Sequence, residues 1–146
     1  MIHFRAITEE NFWTIIRMKR PEGEGFVASN AVSLAQAWLY RDNGDVFPFA
    51  IYEDETPVGF MMLDEDAQER TLMVWRVMFP EEHQGKGYGS EALREIIRLA
   101  RESGKYDSLV LDYVQGNVIA QHVYEKLGFQ PTGEISDGEV VMKLEL

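Results

Sequence analysis

No cysteine occurs among the 146 residues. That removes a thiolate nucleophile, a disulfide framework and any cysteine-based metal site, and it fits a reducing compartment. Long apolar runs are missing too: nothing approaches the ~20 apolar residues that a membrane-crossing helix needs. The opening "MIHFRAITEENFW" lacks the basic-then-apolar pattern of a secretory leader. Together these absences point to the cytoplasm. Positive charge is scarce: 14 Lys and Arg face 25 Asp and Glu, a formal net charge of −11. Nucleic-acid binding, which needs clustered Lys and Arg, is disfavoured. The summed field suits a cationic substrate, while an acidic surface that simply keeps the chain in solution is the plainer alternative. His3, His83 and His122 have no metal-ligand spacing, so no metal site is expected.

What is present is an ordinary globular composition, 45% hydrophobic and 27% charged, without repeats or linkers. One domain spanning residues 1–146 is expected. "HFRAI" reads as a first strand, and Thr8 as the N-cap of a helix over "EENFWTIIRMKR". "PEGEG" breaks that helix, and "SLAQAWLYR" forms a second one, with Ser29, Asn30 or Ser33 as cap candidates. "VFPFAIYED" and "PVGFMMLDE" read as a hairpin, and "TLMVWRVMF" as a buried mid-sheet strand, apolar except at Arg76. After it, Gly89, Leu93, Ile96, Ile97 and Ala100 make one apolar helical stripe. "SLVLDYV" is a compact strand. Asn117 caps a helix with Ile119, Val123 and Leu127 on its stripe and Gly128 as its left-handed stop. Two strands around "SDG" close the chain. The order β-α-α-β-β-β-α-β-α-β-β implies an α/β fold, a mixed sheet with helices on its faces.

The chemistry concentrates in Gln84-Gly85-Lys86-Gly87-Tyr88-Gly89-Ser90, between the fourth strand and its helix. The Walker pattern is absent, and the dinucleotide pattern has Ser90 standing where Gly or Ala is needed and follows the fourth strand. What remains is a run of glycines that lets backbone amides approach a pyrophosphate at the positive end of a helix; an ordinary tight turn is the plainer alternative.

A second constellation follows: Asn117, then Tyr124 seven residues later, then Leu127-Gly128-Phe129. Gln-x-x-Gly-x-Gly followed by Asn-x6-Tyr-x-x-Leu-Gly-Phe resembles the GNAT superfamily of acetyl-CoA-dependent N-acetyltransferases, over essentially the whole chain. The resemblance implies a mostly antiparallel, twisted sheet splayed between strands 4 and 5, with acetyl-CoA as cosubstrate. The backbone of Val77, Met78 and Phe79 would follow the pantetheine, and the amides from Gly85 to Ser90 would cradle the pyrophosphate. Asn117 would bond the pantetheine or hold the splayed strand ends. Tyr124 would protonate the departing thiolate, which the pKa order of phenol and thiol permits.

With no cysteine and no evident Ser/His/Asp set, direct attack by an amine is the natural scheme; the amine must first lose a proton, and a carboxylate acting through water would help. Asp112 is the candidate, His83 an alternative. Some members of the superfamily carry an acid on the strand before the glycine loop, where this chain has Trp75 and Arg76.

Several segments, "VWRVMFPEEHQGKGYGSEALR" and "FVASNAVSLAQAW" among them, are similar to those of bacterial diamine and polyamine acetyltransferases acting on spermine and spermidine. That likeness makes Glu24, Phe26, Trp75, Asp112, Tyr113 and Glu134 candidate acceptor residues, with Glu22, Asp137 and Glu139 as further acids. Spaced carboxylates suit spaced ammonium groups, and the aromatics suit cation–π contacts. A protein or peptide amine, an aminoglycoside, and a non-catalytic coenzyme A sensor remain as alternatives. The resemblance also allows a homodimer joined through C-terminal strands.

Overall fold

The computed structural model describes residues 1–19 and 29–146. Glu22, Glu24 and Phe26, and the expected break at "PEGEG", lie outside the described residues. Seven strands form one sheet: β1 (Ile2–Ala6), β2 (Val46–Glu53), β3 (Thr56–Asp66), β4 (Thr71–Met78), β5 (Ser108–Val114), β6 (Gln130–Ser136) and β7 (Glu139–Glu145). Their spatial order is β1-β2-β3-β4-β5-β7-β6, so β4 is central, as its apolar sequence requires. Neighbours are antiparallel except β4 and β5, which α3 (Tyr88–Ser103) joins by a crossover.

The α3 stripe forms as the spacing predicts: Leu93, Ile96, Ile97 and Ala100 are buried, joined by Ala92. They pack with Tyr124 and Phe129 on Val58, Met61, Leu72, Val74, Leu109, Leu111 and Met142, covering one face of the sheet. The opposite face holds a second cluster, in which Ile15 of α1 (Phe12–Arg17) and Met18 meet Ala50, Tyr52, Phe60, Met62 and Met78. Leu34 and Ala37 of α2 (Asn30–Leu39) flank it. Ser29 proves to be the α2 cap, its side chain accepting from the Val32 amide at 3.2 Å.

Two expectations change. The first helix does not start after Thr8. The Asn11 side-chain oxygen accepts the Thr8 amide (2.9 Å), while its Nδ2 donates to the Ala6 carbonyl (3.0 Å) and the Tyr52 hydroxyl (3.3 Å). This buried asparagine turns the chain first, and the helix begins at Phe12. The α4 helix (Val118–Lys126) is capped by Asn117 as expected, but Ile119 is 80% exposed. The buried position of α4 is Tyr124 instead, because the helix lies along an open cleft.

Two irregularities shape that cleft. Met62 pairs with Arg76 but Leu63 pairs with Val74, so Trp75 is an extra residue, a β-bulge. The bulge reverses side-chain parity along β4: Val74 and Val77 both belong to the α3 face, and Met78 to the α1/α2 face. Secondly, β4 and β5 pair only at Thr71–Ser108, Leu72–Leu109 and Met73–Val110. Beyond Met73 and Val110 the strands diverge. This is the expected splay.

Candidate functional site

The divergence opens a cleft of about 1140 Å³. One end of its wall is the glycine turn. Gly85 (φ +75°) and Gly87 (φ +82°) adopt left-handed backbone, and a β-carbon on either would meet nothing within 4 Å. Both positions face open space. The first α3 amide to reach a backbone carbonyl is that of Glu91, bonded to Gly87 at 3.1 Å. The amides of Tyr88, Gly89 and Ser90 are thus left at the helix's positive end, beside those of the glycine turn. The donor set fits a pyrophosphate.

The Gln84 side chain does not face this cradle. Its Nε2 donates to the Phe79 carbonyl at 2.9 Å, tying the turn to the end of β4. The Phe79 ring fills a slot that glycines leave. A β-carbon on Gly59 would lie 2.7 Å from its Cδ1 and Cε1, and one on Gly89 would lie 3.7 Å from its Cε2. His83 and Tyr88 lie beside it with their rings tilted to each other and their centroids 6.2 Å apart.

Along the other wall, Asn117 spends its side-chain oxygen on the α4 cap, accepting the Ala120 amide at 3.2 Å. Tyr124, about two helical turns further on, is 9% exposed. Its ring lies 6.2 Å from that of Tyr113 and 6.1 Å from that of Phe129, and it lines the cleft.

Strand alternation then sorts the acceptor candidates. On β5, Leu109, Leu111 and Tyr113 belong to the α3 face, so Asp112 and Val114 point to the α1/α2 face. Tyr113 therefore stands beside Tyr124 rather than beside Asp112. On β7, Glu139 pairs with Val114 and Val141 with Asp112. Asp112 and Glu139 are thus diagonal neighbours on one face, within reach of long side chains. Glu139 is the neighbouring carboxyl that acts on Asp112. Burial, reinforced by Glu139, pushes Asp112 up to about 6 against the opposing attraction of Arg76.

Arg76 emerges from the bulge onto this same face. It bonds Gln36 Oε1 of α2 (3.2 Å) and the Trp75 carbonyl (3.4 Å). Its guanidinium lies 4.8 Å over the Trp75 ring. That ring already carries a cation, and Tyr40 lies 6.3 Å away on the same helix side. Burial lowers the Arg76 pKa, opposed by Glu139 and Asp112.

The cleft thus brings together Trp75, Val77, Phe79, Gln84, Gly85, Gly87, Tyr88, Gly89, Ser90, Asp112, Tyr113, Asn117 and Tyr124. The side chains of Met78, Lys86, Glu134 and Asp137 lie outside its lining. The Met78 side chain is buried in the α1/α2 cluster, with its sulfur against Asn30 (3.8 Å), because the bulge turned it away. Lys86 is exposed outside the lining. Glu134 lies on β6, an edge strand exposed at every position and separated from the cleft by β7. Among the described residues, no three His, Asp or Glu side chains gather in metal-ligand geometry.

Sequence reasoning passes over Gly59 and does not pair Glu139 with Asp112. Gly59 sits inside an apolar strand, where a lone glycine is the usual sign of close backbone approach. For Glu139 no local signal exists, since its partner depends on the β5–β7 register.

Comparison with known proteins gives a consistent result. The profile of the acetyltransferase (GNAT) family matches residues 11–129. A spermine/spermidine N(1)-acetyltransferase of Bacillus subtilis is 29% identical over 153 aligned positions, covering 99% of each chain. Among solved structures, the PaiA N-acetyltransferase of Thermoplasma acidophilum in complex with coenzyme A superposes with a TM-score of 0.74 at 18% identity, covering 100% of this chain and 99% of that one. The spermidine N-acetyltransferase of Vibrio cholerae in complex with CoA and spermine gives 0.75 at 16%, covering 99% and 94%.

Proposed function

The chain belongs to the GNAT acetyltransferase family, and on that premise we propose that it moves the acetyl group of acetyl-CoA to a primary amine of spermine or spermidine, by direct attack in a ternary complex. The observation that carries this reading is the two-sided opening between β4 and β5. A glycine cradle for phosphate stands at the α3 side, and a half-buried carboxylate pair at the α1/α2 side. The two reactants would then approach from opposite faces and meet in the gap.

The amides from Gly85 to Ser90 would hold the pyrophosphate, with the backbone of Val77, Met78 and Phe79 along the pantetheine. Bound acetyl-CoA supplies a thioester carbonyl activated toward an amine. Asp112 accepts a proton from the substrate ammonium, exposing the nitrogen lone pair. As the C–N bond forms and the C–S bond breaks, Tyr124 donates its phenolic proton to the sulfur. It regains one from the nitrogen, so the reaction releases one proton overall.

The acceptor assignment draws on the full-length Bacillus relative, on the net charge of −11, and on the carboxylate pair. Spaced ammonium groups of a polyamine are attracted by such a field. Cytoplasmic location follows from the use of acetyl-CoA. Thiol release from acetyl-CoA, measured against spermine, spermidine, putrescine, an aminoglycoside and a short peptide, tests the reading. Saturable turnover of spermine or spermidine, with little on the peptide, is expected. Turnover confined to the peptide or the aminoglycoside sinks the acceptor assignment while leaving the coenzyme half intact. Coenzyme A binding without turnover of any amine makes the protein a sensor.

A further inference from the structure

We propose that Glu139 is a positioning residue for the acceptor's proton: the diagonal neighbour of Asp112 across β5 and β7, it orients that carboxyl in the β4–β5 opening and keeps it a competent proton acceptor. The inference rests on the reading of Asp112 above and deepens it.

The placement begins with the chain's last turn. Asp137 (φ +49°) and Gly138 (φ +79°) form the tight β6–β7 connection, and Glu139 is the first residue after it. On β7, Val140, Met142 and Leu144 face the α3 core, so Glu139 and Val141 are assigned to the other face by parity. A slip of one residue would move Glu139 to the α3 side and leave Asp112 without it. The register that packs three apolar residues against the α3 core therefore also fixes the carboxylate pair.

Two like charges on a half-buried surface weaken the fold unless something compensates. Among the described residues, Arg76 supplies the compensation, and it and Glu139 are the charged groups that act on Asp112. With both carboxyls ionised, the three groups carry a net single negative charge. One proton or one ammonium neutralises the set. When an ammonium enters, its charge completes that balance, and passing its proton to Asp112 leaves the total unchanged. The proton moves from R–NH3+ to the Asp112 carboxylate, giving R–NH2 and a neutral acid. That acid's O–H then donates to the Glu139 carboxylate until water takes the proton away. Glu139 thus stabilises the protonated form of Asp112, the state that proton transfer creates. A purely structural β5–β7 link would need no charge at this position.

Glu139→Gln separates the two roles, since it keeps the side-chain length and a hydrogen bond but removes the charge. The Asp112 midpoint is read by carboxyl carbon NMR on the labelled full-length protein and assigned by the signal lost in Asp112→Asn. The acid limb of kcat/KM for spermidine is followed in parallel. In Glu139→Gln both are expected to move down by about one pH unit or more, with turnover on the alkaline side reduced as the base weakens. Glu139→Asp keeps the charge on a shorter arm and is expected to retain a midpoint closer to that of the unaltered protein. An Asp112 midpoint unchanged in Glu139→Gln overturns the inference, whatever the turnover. A shifted midpoint with full activity in Asp112→Asn retires Asp112 as the base, and the inference with it, while leaving the acetyl transfer itself standing.

Discussion

The ring of Phe79 occupies the place that a side chain on Gly59 would take: an added β-carbon would lie 2.7 Å from two ring carbons and 2.7 Å from the Met78 carbonyl oxygen. The close approach is with backbone as well as with a ring, so a rotamer change cannot relieve it. Phe79 in turn receives the Gln84 amide on its carbonyl. A bare position on β3 therefore sets where β4 ends and where the glycine turn is moored.

Gly59→Ala is accordingly expected to destabilise the protein by about 1–3 kcal/mol, the range of overpacking in a filled core. Denaturant unfolding measures this. A variant as stable as the parent would mean that β4 shifts freely at its end.

Gly87→Ala tests the cradle. The added methyl meets no atom within 4 Å, but φ is +82°. The backbone penalty is about 1–2 kcal/mol, and on the proposed reading the added methyl stands where the pyrophosphate would approach the turn. Coenzyme A affinity is expected to fall about tenfold or more, equivalent to about 1.4 kcal/mol, by calorimetric titration. Gly44→Ala is the control. It has φ +74° and equally open surroundings, and it lies outside the cleft lining, so it should leave affinity unchanged.

Tyr124→Phe preserves the ring that packs against Tyr113 and Phe129 and removes the phenolic proton. If that proton goes to the leaving sulfur, kcat drops about a hundredfold or more while coenzyme A binds as before. Loss of binding with little loss of kcat would assign the hydroxyl to holding the coenzyme instead.

Asp112 gives a prediction about pH and stability together. Its folded pKa, about 6, lies above the ordinary carboxylate value of 3.8. The folded protein therefore holds this proton more tightly than the unfolded chain does. Its ionisation in the fold weakens stability above about pH 6, and the penalty is relieved as pH falls from there toward 4. Asp112→Asn should therefore lose turnover yet melt at a higher temperature at pH 8, with the gain shrinking as the pH drops through 6. A variant less stable than the parent at pH 8 would show that the carboxylate is held by more than its neighbours supply.

Residues whose roles depend on near neighbours along the chain are legible in the sequence alone. The glycine turn, the α3 stripe, Ser29 as one of three cap candidates and Asn117 as a cap are all local arrangements of this kind. Asn11 is not legible there, because the contact that starts the chain's first turn includes Tyr52, forty-one positions away. Ile119 fits the helical period, but the surface it faces is a cleft rather than a core, and periodicity does not tell the two apart. Tyr113 and Asp112 look like partners because they are adjacent, and the alternation of a strand puts them on opposite sides. Glu139 becomes part of the site through strand pairing alone.

The three-rung contact between β4 and β5 has a consequence for how such a protein can change over generations. Past Met73 and Val110, the cleft walls offer main-chain donors and acceptors that the strands do not exchange with each other. Main chain is the same whatever the side chains become, so the half of the site built from it survives extensive drift. The half built from Asp112, Glu139 and Arg76 does not. On the proposed assignment, a lineage could therefore alter which amine it accepts by a few substitutions at one mouth of the opening, while the donor's seat would be inherited intact with the fold.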